Sequence, residues 1–139
     1  MTARLAYAFI GLGHLGGNLA ASLLRHGFAV AVFDRDPAAV ARLVALGGSD
    51  GLLDGLAAGG TWIEMSTNGR DEILRLAALA SAKGVETLEC PVTGGVHLAA
   101  AGKITALVGG DAALYERHRP AIQAMCAKSF LMGPVGSGA

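Results

Sequence analysis

The chain has 139 residues, of which 53% are hydrophobic and only 5% aromatic, so it can bury a core of alanine, leucine and valine. Eleven basic residues balance eleven acidic ones, which argues against nucleic acid or an anionic membrane surface as a partner. There is no apolar run of membrane-span length, no signal-peptide pattern, and no metal-ligand spacing among two cysteines and four histidines, so we expect a single soluble, cytoplasmic domain without a metal.

The first third of the chain predicts a β–α–β unit. We expect a strand at 5–10, a helix at 15–26 closed by Gly27, and a strand at 28–33 that ends at Asp34. Between the first strand and the helix, three glycines stand in the Gly-x-Gly-x-x-Gly register. Glycine is common in this chain, so the glycines alone are weak evidence, but the order of elements around them predicts a dinucleotide-binding loop.

Each glycine of this loop has a predicted steric role. Gly11 permits a tight turn, Gly13 lets the backbone approach a pyrophosphate, and Gly16 lets the helix pack closely on the strand. Asp34 can accept hydrogen bonds from ribose hydroxyls and repels a 2′-phosphate, which favours NAD, whereas Arg35 could pair with that phosphate and leaves NADP open. The alternatives are a glycine-rich turn without a ligand and an Asp34 that only ends a strand.

The remaining elements alternate, with one anomaly. They are a helix from Asp36-Pro37 to Gly47-Gly48, a short amphipathic segment at 52–58, a strand at 61–65, a helix at 70–83, strands at 85–90 and 103–108, a helix at 112–125 kinked or split at Pro120, and a strand at 128–132. Two successive helical segments depart from the pattern of a doubly wound sheet. Because an unpaired edge would be exposed, we expect the strand at 61–66 to move beside the first strand.

Five short motifs occur in an order that is more specific than any one of them. They are Phe-Ile-Gly-Leu-Gly at 9–13, Met-Ser-Thr at 65–67, Cys-Pro-Val-Thr-Gly-Gly at 90–95, Val-Gly-Gly-Asp at 108–111 and Gly-Pro-Val-Gly-Ser-Gly at 133–138. In this respect the chain resembles the β-hydroxyacid dehydrogenases, which include 3-hydroxyisobutyrate dehydrogenase and relatives of 6-phosphogluconate dehydrogenase. The resemblance implies an α/β, Rossmann-like fold with a mostly parallel sheet flanked by helices. It also implies an oxidoreductase that transfers a hydride between a small β-hydroxyacid substrate and nicotinamide.

The resemblance also implies which residues form the site. The implied cofactor-binding residues are Gly11, Leu12, Gly13, His14, Leu15, Gly16, Asp34 and Arg35, with Thr67 near the nicotinamide. Thr93, Gly94 and Gly95 match the segment that binds the substrate carboxylate, and Thr93 stands where the family usually has serine. From the residues alone, Thr67 could instead start the helix at 70–83, and Thr93 could hydrogen-bond its own loop.

Compared with the family, two parts of the pattern are missing. About 35 residues, including about two strands of the complete doubly wound sheet, have no counterpart between Gly47 and Asp50. The helical domain that carries the family's catalytic lysine is also missing, and Lys83, Lys103 and Lys128 do not match that lysine, so no catalytic residue is assigned. We therefore expect residues 1–139 to form one incomplete NAD(P)-binding domain, inactive alone, with a homo-oligomer left open. The alternative to a dehydrogenase is a non-catalytic dinucleotide-binding remnant.

Overall fold

A computed structural model describes residues 6–50 and 59–139, without the side chains of residues 49 and 50. The amphipathic segment predicted at 52–58 lies outside these residues. The elements in chain order are β1 (Tyr7–Ile10), α1 (His14–Arg25), β2 (Val30–Phe33), α2 (Pro37–Ala45), β3 (Ser49–Asp50), β4 (Thr61–Glu64), α3 (Arg70–Ala82), β5 (Glu86–Glu89), β6 (Val92–Thr93), α4 (Gly95–Ala100), β7 (Ile104–Gly109), α5 (Ala112–Met125) and β8 (Cys126–Gly133).

The described strands form two sheets. In the first, β1, β2 and β3 lie parallel in that order. In the second, β4 pairs in parallel with β5, and β7 pairs antiparallel with β5 and β6 and parallel with β8. Helices pack against both sheets, so the predicted α/β, Rossmann-like architecture with mostly parallel pairing is confirmed.

The prediction that the strand after residue 60 would move beside the first strand is wrong. Among the described residues, β1 pairs only with β2, and β4 pairs only with β5. All four residues of β4 are in register with β5, and Ile63 and Met65 pack against the common core. Moving β4 would break these contacts, whereas an unpaired edge that water can reach costs little.

The structure departs from the sequence prediction at two helices, α2 and α5. The two-residue strand β3 follows α2 and pairs with β2, so α2 does return the chain to the sheet. This strand was not predicted, because two residues are too few to show an alternation of apolar and polar side chains. The helix α5 runs as one element with Pro120 inside it, so it is not split there. Buried residues on both sides of the proline, among them Tyr115 and Ile122, hold the helix in place.

One apolar core joins the two sheets. The helix α1 packs against α2 beside the first sheet and against α4 and α5 beside the second. Fully buried leucine, isoleucine and valine side chains come from both parts, among them Leu19, Leu23, Val32, Val108 and Ile122. Cys90 and Cys126 are buried free thiols, and burial raises their pKa to about 12 and about 11 respectively. No helix among the described residues is long and apolar enough to cross a bilayer.

Candidate dinucleotide-binding site

The glycine-rich loop connects β1 to α1 and is fastened to the end of β2. Gly11 has a φ of +89°, a conformation that favours glycine, and its amide donates to the carbonyl of Phe33 at 2.9 Å. Gly13 is the N-cap of α1, and no side chain caps this helix. The first intrahelical bond runs from the Gly17 amide to the Gly13 carbonyl at 2.8 Å. The preceding amides therefore lack an intrahelical acceptor at a helix start where Gly13 and His14 are exposed.

The glycines of the loop are needed for different reasons. A Cβ at Gly16 would collide with the Gly11 carbonyl oxygen and lie 3.3 Å from the Phe9 ring, so only glycine lets α1 approach the loop this closely. A Cβ at Gly13 would meet no protein atom within 4 Å, and Gly13 has an ordinary φ of −65°. Neither packing nor backbone conformation in the described chain therefore demands glycine at position 13.

Asp34 faces the glycine-rich loop. Its Oδ2 accepts a hydrogen bond from the Leu12 amide at 2.7 Å, and its Oδ1 accepts one from the Asp36 amide at 2.8 Å. The amides of Asp36 and then Leu12 lower the pKa of this carboxyl group, with a further contribution from the Arg42 charge. The carboxylate is thus ionised and held against the loop, and each oxygen keeps a lone pair for a further donor.

Arg35 and Thr67 are exposed. The Arg35 guanidinium makes no ion pair within the described part of the chain. Thr67 lies between β4 and α3, and Gly69, not Thr67, is the N-cap of α3. The alternative that Thr67 starts this helix with its hydroxyl is therefore wrong.

The predicted substrate segment lies in the second sheet. Thr93 ends β6, opposite Thr105 of β7, and is exposed. Gly94 and Gly95 have φ values of +126° and +78°, and α4 begins at Gly95 and packs against α1. Across residues 6–50 and 59–139, the Thr93 hydroxyl has no hydrogen-bond partner, so the alternative of a loop-bonding hydroxyl is not observed.

The structure brings together only part of the predicted site. Leu12 and Asp34 are joined by a hydrogen bond, so the loop and the acidic residue form one unit. Thr67 and Thr93 make no hydrogen bond to that unit in the described ranges. Thr93 ends β6 of the second sheet and Thr67 follows β4 of that sheet. Helices beside the second sheet, α4 and α5, pack on α1 of the first region.

Glu89 was not predicted as a site residue from the sequence. This carboxylate is only 3% exposed and accepts hydrogen bonds from the amides of Gly136 at 2.6 Å and Gly138 at 3.3 Å. Glu89 thus ties the C-terminal Gly-Pro-Val-Gly-Ser-Gly motif to the strand that leads towards Thr93. An acidic residue between Leu88 and Cys90, both fully buried, was the available signal, because a buried carboxylate needs donors.

The fold and the loop define a dinucleotide-binding domain of the type used by oxidoreductases. The chain belongs to the family described as the NAD binding domain of 6-phosphogluconate dehydrogenase, whose model matches residues 6–49 and 45–133. It is 36% identical to an NAD-dependent L-serine dehydrogenase and 35% identical to a 3-hydroxyisobutyrate dehydrogenase, both from Pseudomonas aeruginosa, over 94% of this chain and 55% of each relative. The solved structure of Mycobacterium tuberculosis 3-hydroxyisobutyrate dehydrogenase with L-serine is similar, with a TM-score of 0.90 and 28% identity over 98% of this chain and 57% of that one.

The chain spans about half the length of these relatives, and part of the difference is internal. The family model matches in two pieces that meet at residues 45–49, at the junction of α2 and β3. The alignment with the L-serine dehydrogenase has 163 positions, whereas 94% of this 139-residue chain is about 131 residues, so a net of about 32 positions face gaps in this chain. The internal deletion predicted between Gly47 and Asp50 is confirmed.

Proposed function

We propose that the chain binds NAD between the glycine-rich loop and Asp34, as the incomplete cofactor-binding domain of a dehydrogenase of the 3-hydroxyisobutyrate type. The observation that carries this proposal is Gly13. No contact in the described chain requires glycine at this position, but Gly13 stands at an exposed helix start that a diphosphate could approach. The membership of an NAD-binding family supports the same assignment.

The residues present fit this cofactor. The free amides at the start of α1 suit a diphosphate, because they are unpaired donors at the positive end of the helix. The remaining lone pairs of Asp34 suit the ribose hydroxyls, since its carboxylate is already fixed by two amides. When bound, NAD would supply the hydride acceptor for oxidation of an alcohol carbon, and the chain's residues would position it.

NAD is favoured over NADP. Asp34 is ionised and held in place by the Leu12 and Asp36 amides, so it cannot easily move away from a 2′-phosphate, which it would repel. Arg35 favours NADP instead, because an exposed guanidinium could pair with the 2′-phosphate. The carboxylate dominates because its hydrogen bond with the Leu12 amide holds it against the loop.

For the substrate, we propose a small β-hydroxyacid whose carboxylate lies at Thr93, Gly94 and Gly95, with Thr67 near the nicotinamide. The named substrates of the similar proteins, L-serine and 3-hydroxyisobutyrate, are both small hydroxyacids. The exposed Thr93 hydroxyl has a donor to offer, and Gly94 and Gly95, which are exposed and have positive φ values, add no side chain of their own there.

The alternative is a non-catalytic dinucleotide-binding remnant, and two observations favour it for these residues in isolation. Lys83, Lys103 and Lys128 are exposed and lie at the end of α3, before β7 and within β8, so none is assigned as the acid or base. About thirty residues that the relatives carry between α2 and β4 are missing. We therefore expect binding without turnover.

Calorimetric titration with NAD and with NADP tests the cofactor assignment. We expect saturable binding of NAD and weaker binding of NADP. Asp34→Asn keeps an acceptor for the Leu12 amide but removes the charge, so it should weaken NAD binding on the order of tenfold and narrow the preference over NADP. Asp71→Asn, in the exposed first turn of α3, is the matched control and should change neither affinity.

A turnover assay distinguishes a dehydrogenase from a non-catalytic dinucleotide-binding remnant. The chain is mixed with NAD and either L-serine or 3-hydroxyisobutyrate, and NADH is followed by its absorbance. Binding without NADH formation supports the remnant for these 139 residues. NADH formation that Thr93→Val abolishes would instead establish catalysis by the chain alone.

A further inference from the structure

The first sheet has one uncovered face. In β1, Tyr7 and Phe9 pack against the core, whereas Ala8 and Ile10 are exposed, Ile10 by 66%. In β2, Val32 is fully buried, and its neighbour Phe33 is 37% exposed. Ile10 and Phe33 are register partners, so their side chains lie next to each other on the same face. Parallel sheets normally have both faces covered, and no described element covers this one.

The same strand has an open edge. The amides of Tyr7 and Gly11 donate to carbonyls of the β2 side, Ala29 and Phe33, at 2.9 Å each. Because peptide groups alternate in direction along a strand, those of Ala8 and Ile10 point towards the opposite edge. No described strand pairs with that edge. An apolar face and a row of unpaired donors and acceptors therefore meet at β1.

The comparison with the relatives indicates what fits there. The retained elements superpose on a longer relative, of which this chain covers 57%, with a TM-score of 0.90 over 98% of this chain, so they keep their positions and do not close around β1. The net of about 32 missing residues falls after α2. This length accommodates one helix and one strand with their connections. A helix covers a sheet face and a strand completes an edge.

We propose that the uncovered face and open edge of β1 bind a helix–strand segment supplied by a separate polypeptide. Its strand is apolar and runs along β1, where it pairs with the peptide groups of Ala8 and Ile10. Its helix is amphipathic and places its apolar stripe over Ile10 and Phe33. This binding site does not rest on the proposed function, since neither Ala8 nor Ile10 is assigned to the cofactor.

A synthetic peptide tests the proposal. Its sequence is the segment of the Pseudomonas aeruginosa L-serine dehydrogenase that faces the gap at residues 45–49, and a scrambled peptide of the same composition is the control. We expect saturable one-to-one binding by calorimetry and amide exchange at Ala8 and Ile10 slowed about tenfold or more, because these amides gain partners. The amide of Tyr7 already donates to Ala29 and should change much less.

Two variants localise the binding. Ala8→Glu places a charge on the uncovered face and should abolish peptide binding, whereas Leu79→Glu, at an exposed position of α3 that is 54% accessible, should not. No binding by the folded wild-type chain, or binding that leaves exchange at Ala8 and Ile10 unchanged, overturns the proposal. Self-association of the chain that Ala8→Glu abolishes, without peptide binding, also overturns it, since a second copy would then cover the face. Titration with NAD is measured separately, so failure here leaves the cofactor assignment standing.

Discussion

The two sheets of the molecule differ in how they are completed. The second sheet is fastened by the C-terminal segment, which returns to β5 after β8 and donates two amides to the buried Glu89. The first sheet carries the candidate cofactor loop, but one face and one edge of β1 lack partners in the described chain. The loop is held by nearby hydrogen bonds, from the Leu12 amide to Asp34 and from the Gly11 amide to the Phe33 carbonyl. These bonds are present although no described element covers this face of the sheet.

The largest expected effect comes from a substitution that disrupts the packing of α1 on the glycine-rich loop of the first sheet. Gly16→Val would force α1 away from the loop, because its Cβ would collide with the Gly11 carbonyl oxygen. We expect a loss of about 3 kcal/mol in the free energy of unfolding, at the upper end for overpacking, and loss of NAD binding. Urea denaturation measures the first effect and calorimetry the second. A variant with wild-type stability would show that α1 packs less closely than described.

The next substitution removes the contact between the C-terminal segment and the second sheet. Glu89→Ala leaves the Gly136 and Gly138 amides without their acceptor and should cost about 2 to 3 kcal/mol of stability, as for loss of a charged hydrogen-bond partner. Glu86→Ala, an exposed position three residues earlier, is the control and should change stability by less than about 0.5 kcal/mol. Equal effects in urea denaturation would contradict the anchoring role of Glu89.

A smaller effect, which depends on pH, tests the contact between β1 of the first sheet and α5 beside the second. Tyr7 of β1 bonds to Nδ1 of His118 in α5 at 2.9 Å, and His118 is 6% exposed with a buried Nε2 that has no partner among the described residues. Burial, with a smaller contribution from Arg117, lowers the pKa of His118, while Glu86 opposes the shift. As the pH falls, His118 is therefore protonated in the unfolded chain before it is protonated in the folded chain.

Stability should consequently decrease as the pH falls below the ordinary histidine value of about 6.5 and through the lower folded pKa. The measurement is the urea midpoint between pH 7.5 and pH 5. The dependence should become weaker in His118→Gln and remain in His97→Gln, whose side chain is exposed. A wild-type midpoint that rises towards pH 5 would contradict this assignment.

Local patterns predicted most of the elements but not their neighbours. Helix α5 was predicted with its observed bounds and α1 and α3 within one residue, because periodicity, caps and glycine stops are local signals. The two-residue strands β3 and β6 and the short helix α4 have too few residues to show a period. The placement of β4 was wrong because strand pairing is set by contacts distant in sequence.

The same distinction applies to the site. The facing of Asp34 and the glycine-rich loop followed from the β–α–β pattern, since the ends of adjacent parallel strands meet. Glu89 was missed because its partners are 47 and 49 residues away. The exposed face of β1 was also missed, because the sequence shows which residues are apolar but not that no helix among residues 6–50 and 59–139 packs over them.

The central claim is that the loop binds the diphosphate of NAD, and Gly13→Ser tests it most directly. Serine is a favourable N-cap residue and a Cβ at this position meets no protein atom within 4 Å, so the stability of the chain should stay the same or rise. NAD affinity measured by calorimetry should nevertheless fall on the order of tenfold or more, because the side chain occupies the space of the pyrophosphate. Unchanged NAD affinity in this variant, or no NAD binding by the folded wild-type chain, would contradict the account.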